Sequence, residues 1–232
     1  MQRTHLVLGI GNDSKPVLEG LEKDFPAWQF AILDCWSHVQ EIKVIDEQVL
    51  PDEDLTARFV TNLSYFTKPP QVALRFDNDK YDDAETQKIV RYPPHYLKLL
   101  KKKWRSGFPS ILSSLERYTE ILIVSPTATA MALVSLLPLV KALQSGRNVR
   151  IFSWYPFMLE GHMRTEMAPT LCGQLMDTQA KHYCFFQQEV IEHYKNETMT
   201  KVLTDLKNMQ QQAVRNLLRD DSIGDCQFVY LL

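Results

Sequence analysis

Short apolar runs alternate with longer helical patterns along most of this chain, and that alternation constrains its fold more than any other feature. Five runs are apolar almost throughout, which is typical of strands buried on both faces. They are HLVLGI (5–10), WQFAILD (28–34), EILIVS (120–125), NVRIFSW (148–154) and HYCFFQ (182–187). A further run, DCQFVYLL (225–232), is a candidate final strand.

Helical patterns occupy the intervals between these runs. They lie at about 14–24, 94–118, 129–145, 163–179 and 198–219. Strands alternating with helices indicate βαβ units, so we predict an α/β fold with a doubly wound, mainly parallel, Rossmann-like sheet. In such sheets ligands bind at the carboxyl ends of the strands, where loops lead into helices.

The size and composition of the chain fit an ordinary globular protein. Its 232 residues are 45% hydrophobic and 23% charged, enough for one large domain or two small ones. The stretch from about 44 to 93 is acidic in two places, contains KPP, ends in YPP and shows no clear period. We therefore predict a single domain over 1–232, with 44–93 as an insertion of irregular structure or short edge elements.

Charge and cysteine usage exclude several classes of function. The net charge of −2 gives the whole molecule no electrostatic attraction to nucleic acid, and no apolar run reaches the roughly 18 residues of a membrane span. The basic stretch 98–105 reads either as the solvated face of a helix or as a contact for an anionic partner. The four cysteines and six histidines lack metal-ligand or disulfide spacing, which predicts no metal site and a reducing, cytoplasmic location.

A glycine turn follows the first predicted strand. Gly9 and Gly11 in GIGNDS permit a tight turn with close backbone approach, and Asp13 or Ser14 can cap the next helix. A strand, a Gly-x-Gly turn and a helix start together favour anion binding. The third glycine of a dinucleotide fingerprint is missing, so a simple strand-to-helix turn is the alternative.

A threonine turn follows the fourth predicted strand. Thr127 and Thr129 in SPTATA stand where phosphate-binding loops place hydroxyls. Ala128 and Ala130 carry methyl groups that obstruct the close backbone approach needed to cradle a phosphate. The alternative is a helix start capped by threonine.

The segment YPFMLEGHMR (155–164) follows the fifth predicted strand. It raises the question whether Glu160 and Arg164 form one end of a ligand site or belong to a surface loop. Together with the glycine and threonine turns, it resembles the nucleotide-binding domain of the tubulin and FtsZ superfamily in order and spacing. FtsZ proteins carry Pro-Phe-x-Phe-Glu-Gly, two variable residues and Arg. The matching positions here are Pro156, Phe157, Glu160, Gly161 and Arg164, with Leu159 in place of the second Phe.

The resemblance implies a divergent tubulin/FtsZ-type GTPase domain that binds GTP or GDP. Glu160 would contact the ribose, and Arg164 would lie near the ribose or phosphates. Three further family positions have substitutes here. The asparagine that contacts guanine is replaced by Gln187 or Gln188, and the aromatic that stacks on the base is replaced by Leu206 or Lys207. The asparagine that reads the base is replaced by Gln210 or Gln211. The implied nucleotide-binding residues are Gly9, Gly11, Asn12, Thr127, Thr129, Glu160, Arg164, Gln188 and Gln210.

Departures from the family pattern shape the expected function. FtsZ reads Gly-Gly-Gly-Thr-Gly-Thr-Gly at the threonine turn, and losing those glycines should cost a few kcal/mol, about two to three orders of magnitude in affinity. The acids Asp220, Asp221 and Asp225 lack the family's Asn-x-Asp-x-x-Asp spacing, and the second domain of FtsZ and tubulin has no counterpart. We therefore expect a pseudo-GTPase, a protein that binds guanine nucleotides weakly and does not hydrolyse them efficiently. We expect it to be associated with cytoskeletal filaments or cell division. It would act through self-association or an FtsZ/tubulin-family partner. The alternative is a nucleotide-free interaction or scaffold module on the same fold.

Overall fold

A seven-stranded mixed sheet is the framework of the part that the computed structural model describes, residues 4–37, 55–60, 94–157, 162–220, 222–224 and 226–232. The strands are β1 (His5–Ile10), β2 (Trp28–Ser37), β3 (Leu55–Val60), β4 (Glu120–Pro126), β5 (Asn148–Tyr155), β6 (Lys181–Phe186) and β7 (Val229–Leu231). Their order is β3-β2-β1-β4-β5-β6-β7. The five inner strands are parallel, and the edge strands β3 and β7 are antiparallel to their neighbours. The predicted mainly parallel α/β sheet is confirmed.

Helices connect the strands at the predicted places, with two differences. They are α1 (Lys15–Leu18), α2 (Leu21–Asp24), α3 (Pro94–Leu115), α4 (Ala130–Leu143), α5 (His162–Met176), α6 (Gln187–His193) and α7 (Met199–Asp220). The single helix predicted at 14–24 is wrong, because the chain breaks at Gly20 into α1 and α2. Gly20 has a φ of 86°, in the left-handed region that glycine favours. The short helix α6 was not predicted.

Two predicted segments lie at the edges of the sheet. The strand predicted at 225–232 shortens to β7, since Gly224 and Phe228 both have positive φ and bend the chain before Val229. Strand β3 is a short edge element inside the predicted insertion, as the prediction allowed, and it pairs with β2. The rest of 44–93 lies outside the described residues.

Both faces of the sheet are covered by apolar side chains, which explains why its inner strands read as continuous apolar runs. Along β1, Leu6 and Leu8 join the core beneath α3, α4 and α5, whereas Val7 joins the core beneath α1, α2 and α7. All three residues are fully buried. Among the described helices, none combines the length and apolarity that crossing a bilayer requires.

Helix α7 lies on the sheet through an apolar stripe and one buried charge. Its residues Val202, Leu206, Ala213 and Leu217 recur at helical spacing and are buried. Arg150 on β5, 1% exposed, donates to the carbonyl oxygen of Leu217 at 2.6 Å and to Glu120 Oε1 at 2.5 Å. These contacts hold the C-terminal end of α7 against the amino-terminal ends of β4 and β5.

Candidate functional site

A cavity of about 270 Å³ lies at the carboxyl ends of β1, β4 and β5. The turn after β1, the turn after β4, the end of β5, the start of α6 and the middle of α7 line it. The chain leaves β1 toward β2 on one side and returns through β4 on the other, so the cavity lies at the point where the strand order reverses. Its volume is just below the roughly 300–1,000 Å³ of typical small-molecule sites.

The turn and helix after β1 form the first wall of the cavity through Asp13, Pro16 and Val17, and neither predicted glycine, Gly9 or Gly11, is among the lining residues. Gly11 has a φ of 75°, and the Ser14 hydroxyl donates to its carbonyl oxygen at 2.7 Å. A methyl group at Gly9 would lie 2.4 Å from Ser14 Oγ, so close packing requires glycine there. The prediction that Ser14 caps the helix is wrong, because its side chain makes no cap hydrogen bond and closes the turn instead. Asp13 is exposed and lines the cavity; Asn12 begins a 3₁₀ turn, and its side chain is outside the described set.

The threonine turn forms the second wall, and the fold itself uses both hydroxyls. Thr127 donates its N–H and its hydroxyl to the carbonyl oxygen of Trp154, at 3.1 and 3.0 Å. Thr129 Oγ1 accepts the N–H of Ala132 at 3.2 Å and caps α4, which was the alternative prediction for this turn. Both threonines are buried at the edge of the cavity. A ligand would therefore meet a Thr127 hydroxyl whose proton is already donated, and a Thr129 hydroxyl whose oxygen already accepts.

Two buried glutamines lie at the opposite side. Gln187, the first residue of α6, is 6% exposed, lines the cavity and donates from Nε2 to the carbonyl oxygen of Tyr155 at 3.1 Å. Gln210 on α7 is also 6% exposed and lines the cavity. Gln188, in the predicted set, donates to Glu192 Oε1 and is not a lining residue of this cavity. The structure therefore places Gln187 where the sequence favoured Gln188.

Lys207 brings a positive charge to the cavity that the predicted set did not include. It lies one helical turn before Gln210, and its Nζ is 3.9 Å from Glu19 Oε2, a distance that leaves only a weak ion pair. Asp13 opposes it with a negative charge on the same cavity. The resemblance had named Lys207 only as one of two residues at the stacking position, and it gave no sign of a cation at the site.

The fold has recognisable neighbours among solved structures. An empty FtsZ dimer from M. jannaschii matches 94% of this chain with a TM-score of 0.59 at 10% identity, and the match covers 55% of that chain. The chain has the FtsZ fold. The predicted resemblance is thereby confirmed at the level of the fold, and the chain spans just over half the length of the FtsZ structure that it matches.

Two other structures are similar at lower scores. TubZ of Clostridium botulinum phage c-st, truncated in its C-terminal tail, matches 95% of this chain and 64% of its own at 11% identity and a TM-score of 0.48. CetZ from Methanosaeta thermophila strain DSM 6194 matches 54% of this chain and 38% of its own, at 13% identity and a TM-score of 0.44. No protein-family model matches the chain, and no curated protein sequence is significantly similar to it.

The remaining predicted residues of this FtsZ fold fall largely outside the described part. Glu160 and Gly161 lie outside it, as do Asp221 and Asp225. Arg164 is the third residue of α5, which begins near the end of β5, but its side chain is outside the described set. The structure therefore brings together the turns at Gly11, Thr127 and Thr129 with Gln210, and the positions of Glu160 and Arg164 within the site stay predictions.

Proposed function

We propose that residues 1–232 form one domain that binds a guanine nucleotide weakly in this cavity and does not hydrolyse it efficiently. One observation carries the proposal: the cavity lies at the strand-order reversal of an FtsZ fold and is lined by the turns that the sequence singled out. Ligands of open α/β sheets bind at this position.

The glutamine side of the cavity suits a nucleobase. Each amide offers one acceptor and two donors, so Gln187 and Gln210 can pair with the mixed donor and acceptor edge of a purine. Gln187 already donates one amide N–H to the carbonyl oxygen of Tyr155, which holds its side chain at the cavity. The choice of guanine over adenine rests on the sequence resemblance. Glu160 and Arg164 are proposed for the ribose and phosphate end, with Lys207 as a further cation.

Weak affinity follows from the threonine turn. Charge-assisted hydrogen bonds to phosphate contribute about 1.5–3 kcal/mol each, and in this chain the Thr127 N–H and hydroxyl already donate to Trp154. Losing two such bonds costs about 3–6 kcal/mol, or two to four orders of magnitude in dissociation constant. Asp13 adds repulsion of a phosphate. We therefore expect binding in the micromolar to millimolar range.

Slow hydrolysis follows from the requirements of phosphoryl transfer. The attacking water must be oriented and the developing charge neutralised, and a missing part reduces the rate by orders of magnitude. Asp220 ends α7, but the acids around it do not reproduce the family spacing. Nucleotide binding would then act as a structural signal, for self-association or for docking on an FtsZ/tubulin-family filament protein.

Matched glutamines on α7 make a sharp test of the site. Gln210→Ala removes a buried cavity amide, whereas Gln212→Ala removes an exposed amide that donates only to Asn216. Calorimetric titration with GDP, GTP and ATP should show guanine-nucleotide binding that Gln210→Ala weakens about tenfold and Gln212→Ala leaves unchanged. No binding to the unaltered protein at millimolar nucleotide would refute the proposal. Equal effects of the two variants would refute the location.

A nucleotide-free interaction module is the second candidate, favoured by the internal use of the Thr127 donors and by Asp13 on the cavity wall. Co-sedimentation with a polymerising FtsZ/tubulin-family protein, with and without added GTP, separates the two. Nucleotide-independent co-pelleting supports the module. Sedimentation velocity of the chain alone tests self-association in the same conditions.

A further inference from the structure

Three metal-binding side chains meet on the other face of the sheet, away from the cavity. They are Cys172 on α5 and His182 and Cys184 on β6, and their ligand atoms all lie within 4.8 Å of one another. His182 and Cys184 are two residues apart on one strand, so both project to the face that α5 covers. The exposed fractions are 7% for Cys172 and zero for the other two.

The hydrogen bonding of His182 is incomplete. One ring nitrogen, Nε2, lies 2.7 Å from Ser153 Oγ, while Nδ1 is buried and has no hydrogen-bond partner among the described residues. Buried polar atoms in native proteins are almost always paired, and an unpaired one requires an explanation. Histidines that bind metals characteristically engage a hydrogen-bond partner through one ring nitrogen and the ion through the other. In His182 one ring nitrogen is engaged and the other is without a described partner.

We propose that Cys172, His182 and Cys184 form a Zn²⁺ site that joins α5 to β6. Two thiolates and one imidazole are ligands that Zn²⁺ prefers, with a fourth position for a water or another donor. Bond lengths of about 2.0–2.3 Å around a tetrahedral ion separate neighbouring ligand atoms by roughly 3.5–4 Å. Ligand atoms within 4.8 Å therefore reach this geometry by side-chain shifts of about 1 Å.

Metal binding requires deprotonated thiols and a neutral imidazole. Binding would therefore release the protons held by the two thiols and place the charge of the ion against two thiolates.

The site has a structural consequence that is independent of the proposed nucleotide function. Cys172 lies eight residues after Arg164 on α5, close to two helical turns. An ion bound by Cys172 and β6 would fix the helix that carries Arg164. Because the site is closed, we expect the ion to enter as the chain folds.

The test is refolding of the full chain from denaturant with reductant, in the presence of Zn²⁺ or of a chelator. We expect one zinc per chain after desalting, and a higher Tm for the zinc-refolded protein. With Co²⁺ in place of Zn²⁺ we expect a thiolate-to-cobalt charge-transfer band in the near ultraviolet. Cys172→Ser and Cys172→Ala should each weaken Zn²⁺ binding by at least about 100-fold. Cys226→Ser, at a cysteine whose Sγ accepts from Asn216 outside the cluster, should bind as the unaltered protein does.

Several outcomes would overturn the proposal. One is the absence of retained zinc in the unaltered protein, and another is undiminished binding by both Cys172 variants that fold by circular dichroism. A Cys172–Cys184 disulfide found by alkylation mapping of protein refolded with Zn²⁺ would assign the pair to redox chemistry instead. Loss of zinc from Cys226→Ser would place the ion elsewhere.

Discussion

Gly9→Ala is the change for which the structure gives the clearest physical expectation. A methyl group at this position would lie 2.4 Å from Ser14 Oγ and 3.0 Å from Leu18 Cδ1, whereas ordinary contact begins at 3.4 Å. The Ser14 side chain would have to move by about 1 Å, yet it is fully buried and bonded to Gly11. Overpacking of this kind costs about 1–3 kcal/mol. A loss near 2 kcal/mol lowers Tm by about 4–8 °C in a chain of this size.

Gly173→Ala is the matched control for the same chemical change. Gly173 is an exposed residue within α5, and a methyl group there would meet nothing within 4 Å. Replacing an unconstrained helical glycine by alanine stabilises by about 0.5–1 kcal/mol. The two substitutions should therefore shift the urea unfolding midpoint in opposite directions. Equal stability of Gly9→Ala and the unaltered protein would contradict the packing argument.

The double variant Gly9→Ala with Ser14→Gly isolates the cause. Ser14→Gly removes the two Ser14 atoms that approach the new methyl group and leaves Leu18 Cδ1 at 3.0 Å. It also removes the hydrogen bond to Gly11, worth about 1 kcal/mol. In a double-mutant cycle the two changes should be less damaging together than the sum of their single effects. Strict additivity would mean that Ser14 is not what excludes a side chain at Gly9. The same variants, titrated with GDP, test whether the turn shape matters for ligand binding.

Two further predictions concern buried charge and buried histidine. Glu120→Gln should lower the free energy of unfolding in urea by about 2–3 kcal/mol, because it leaves the buried Arg150 guanidinium without its carboxylate. Glu120 is partly exposed, so this cost is below that of breaking a fully buried pair. Glu116→Gln, at the exposed end of the same loop, should change stability by less than about 0.5 kcal/mol. In the metal-free protein, His182 has a folded pKa of about 4 against 6.5 in the unfolded chain, so its contribution is fully present above pH 6.5 and is lost as pH falls toward 4. The folding free energy lost in this way should approach about 3 kcal/mol. His182→Gln should flatten the dependence of the unfolding free energy on pH between pH 6.5 and 4. The same slope in the variant and the unaltered protein would refute the assignment to His182.

Some elements were predictable because their cause is local. The five parallel inner strands follow from apolar runs, since a strand covered on both faces must be apolar on both. The long helices follow from stripes such as Val202, Leu206, Ala213 and Leu217. Short edge elements were expected between 44 and 93, but the position of strand β3 was not predictable, because an edge strand within a charged stretch depends on pairing with β2. Helix α6 begins directly after β6 and is too short for a clear period.

The candidate site shows the same division at the level of single residues. The glycine and threonine turns could be located from their sequence because each follows a recognisable buried strand. The choice between Gln187 and Gln188 could not be made from the sequence. The end of β6 and the start of α6 decide which of these two adjacent amides lines the cavity. Lys207 reaches the cavity because Arg150 and the apolar stripe fix α7 in one position over the strands.

The sequence by itself determined the α/β architecture and the strand-end turns, because periodicity and turn chemistry act over a few residues. The likeness to FtsZ came from the resemblance of its turn motifs, in order and spacing, to those of that family. Only the tertiary structure decided that Thr127 gives its donors to Trp154 and that Cys172, His182 and Cys184 come together. Both depend on which strands and helices become neighbours. That choice is made by packing across the whole sheet, and sequence spacing does not record it.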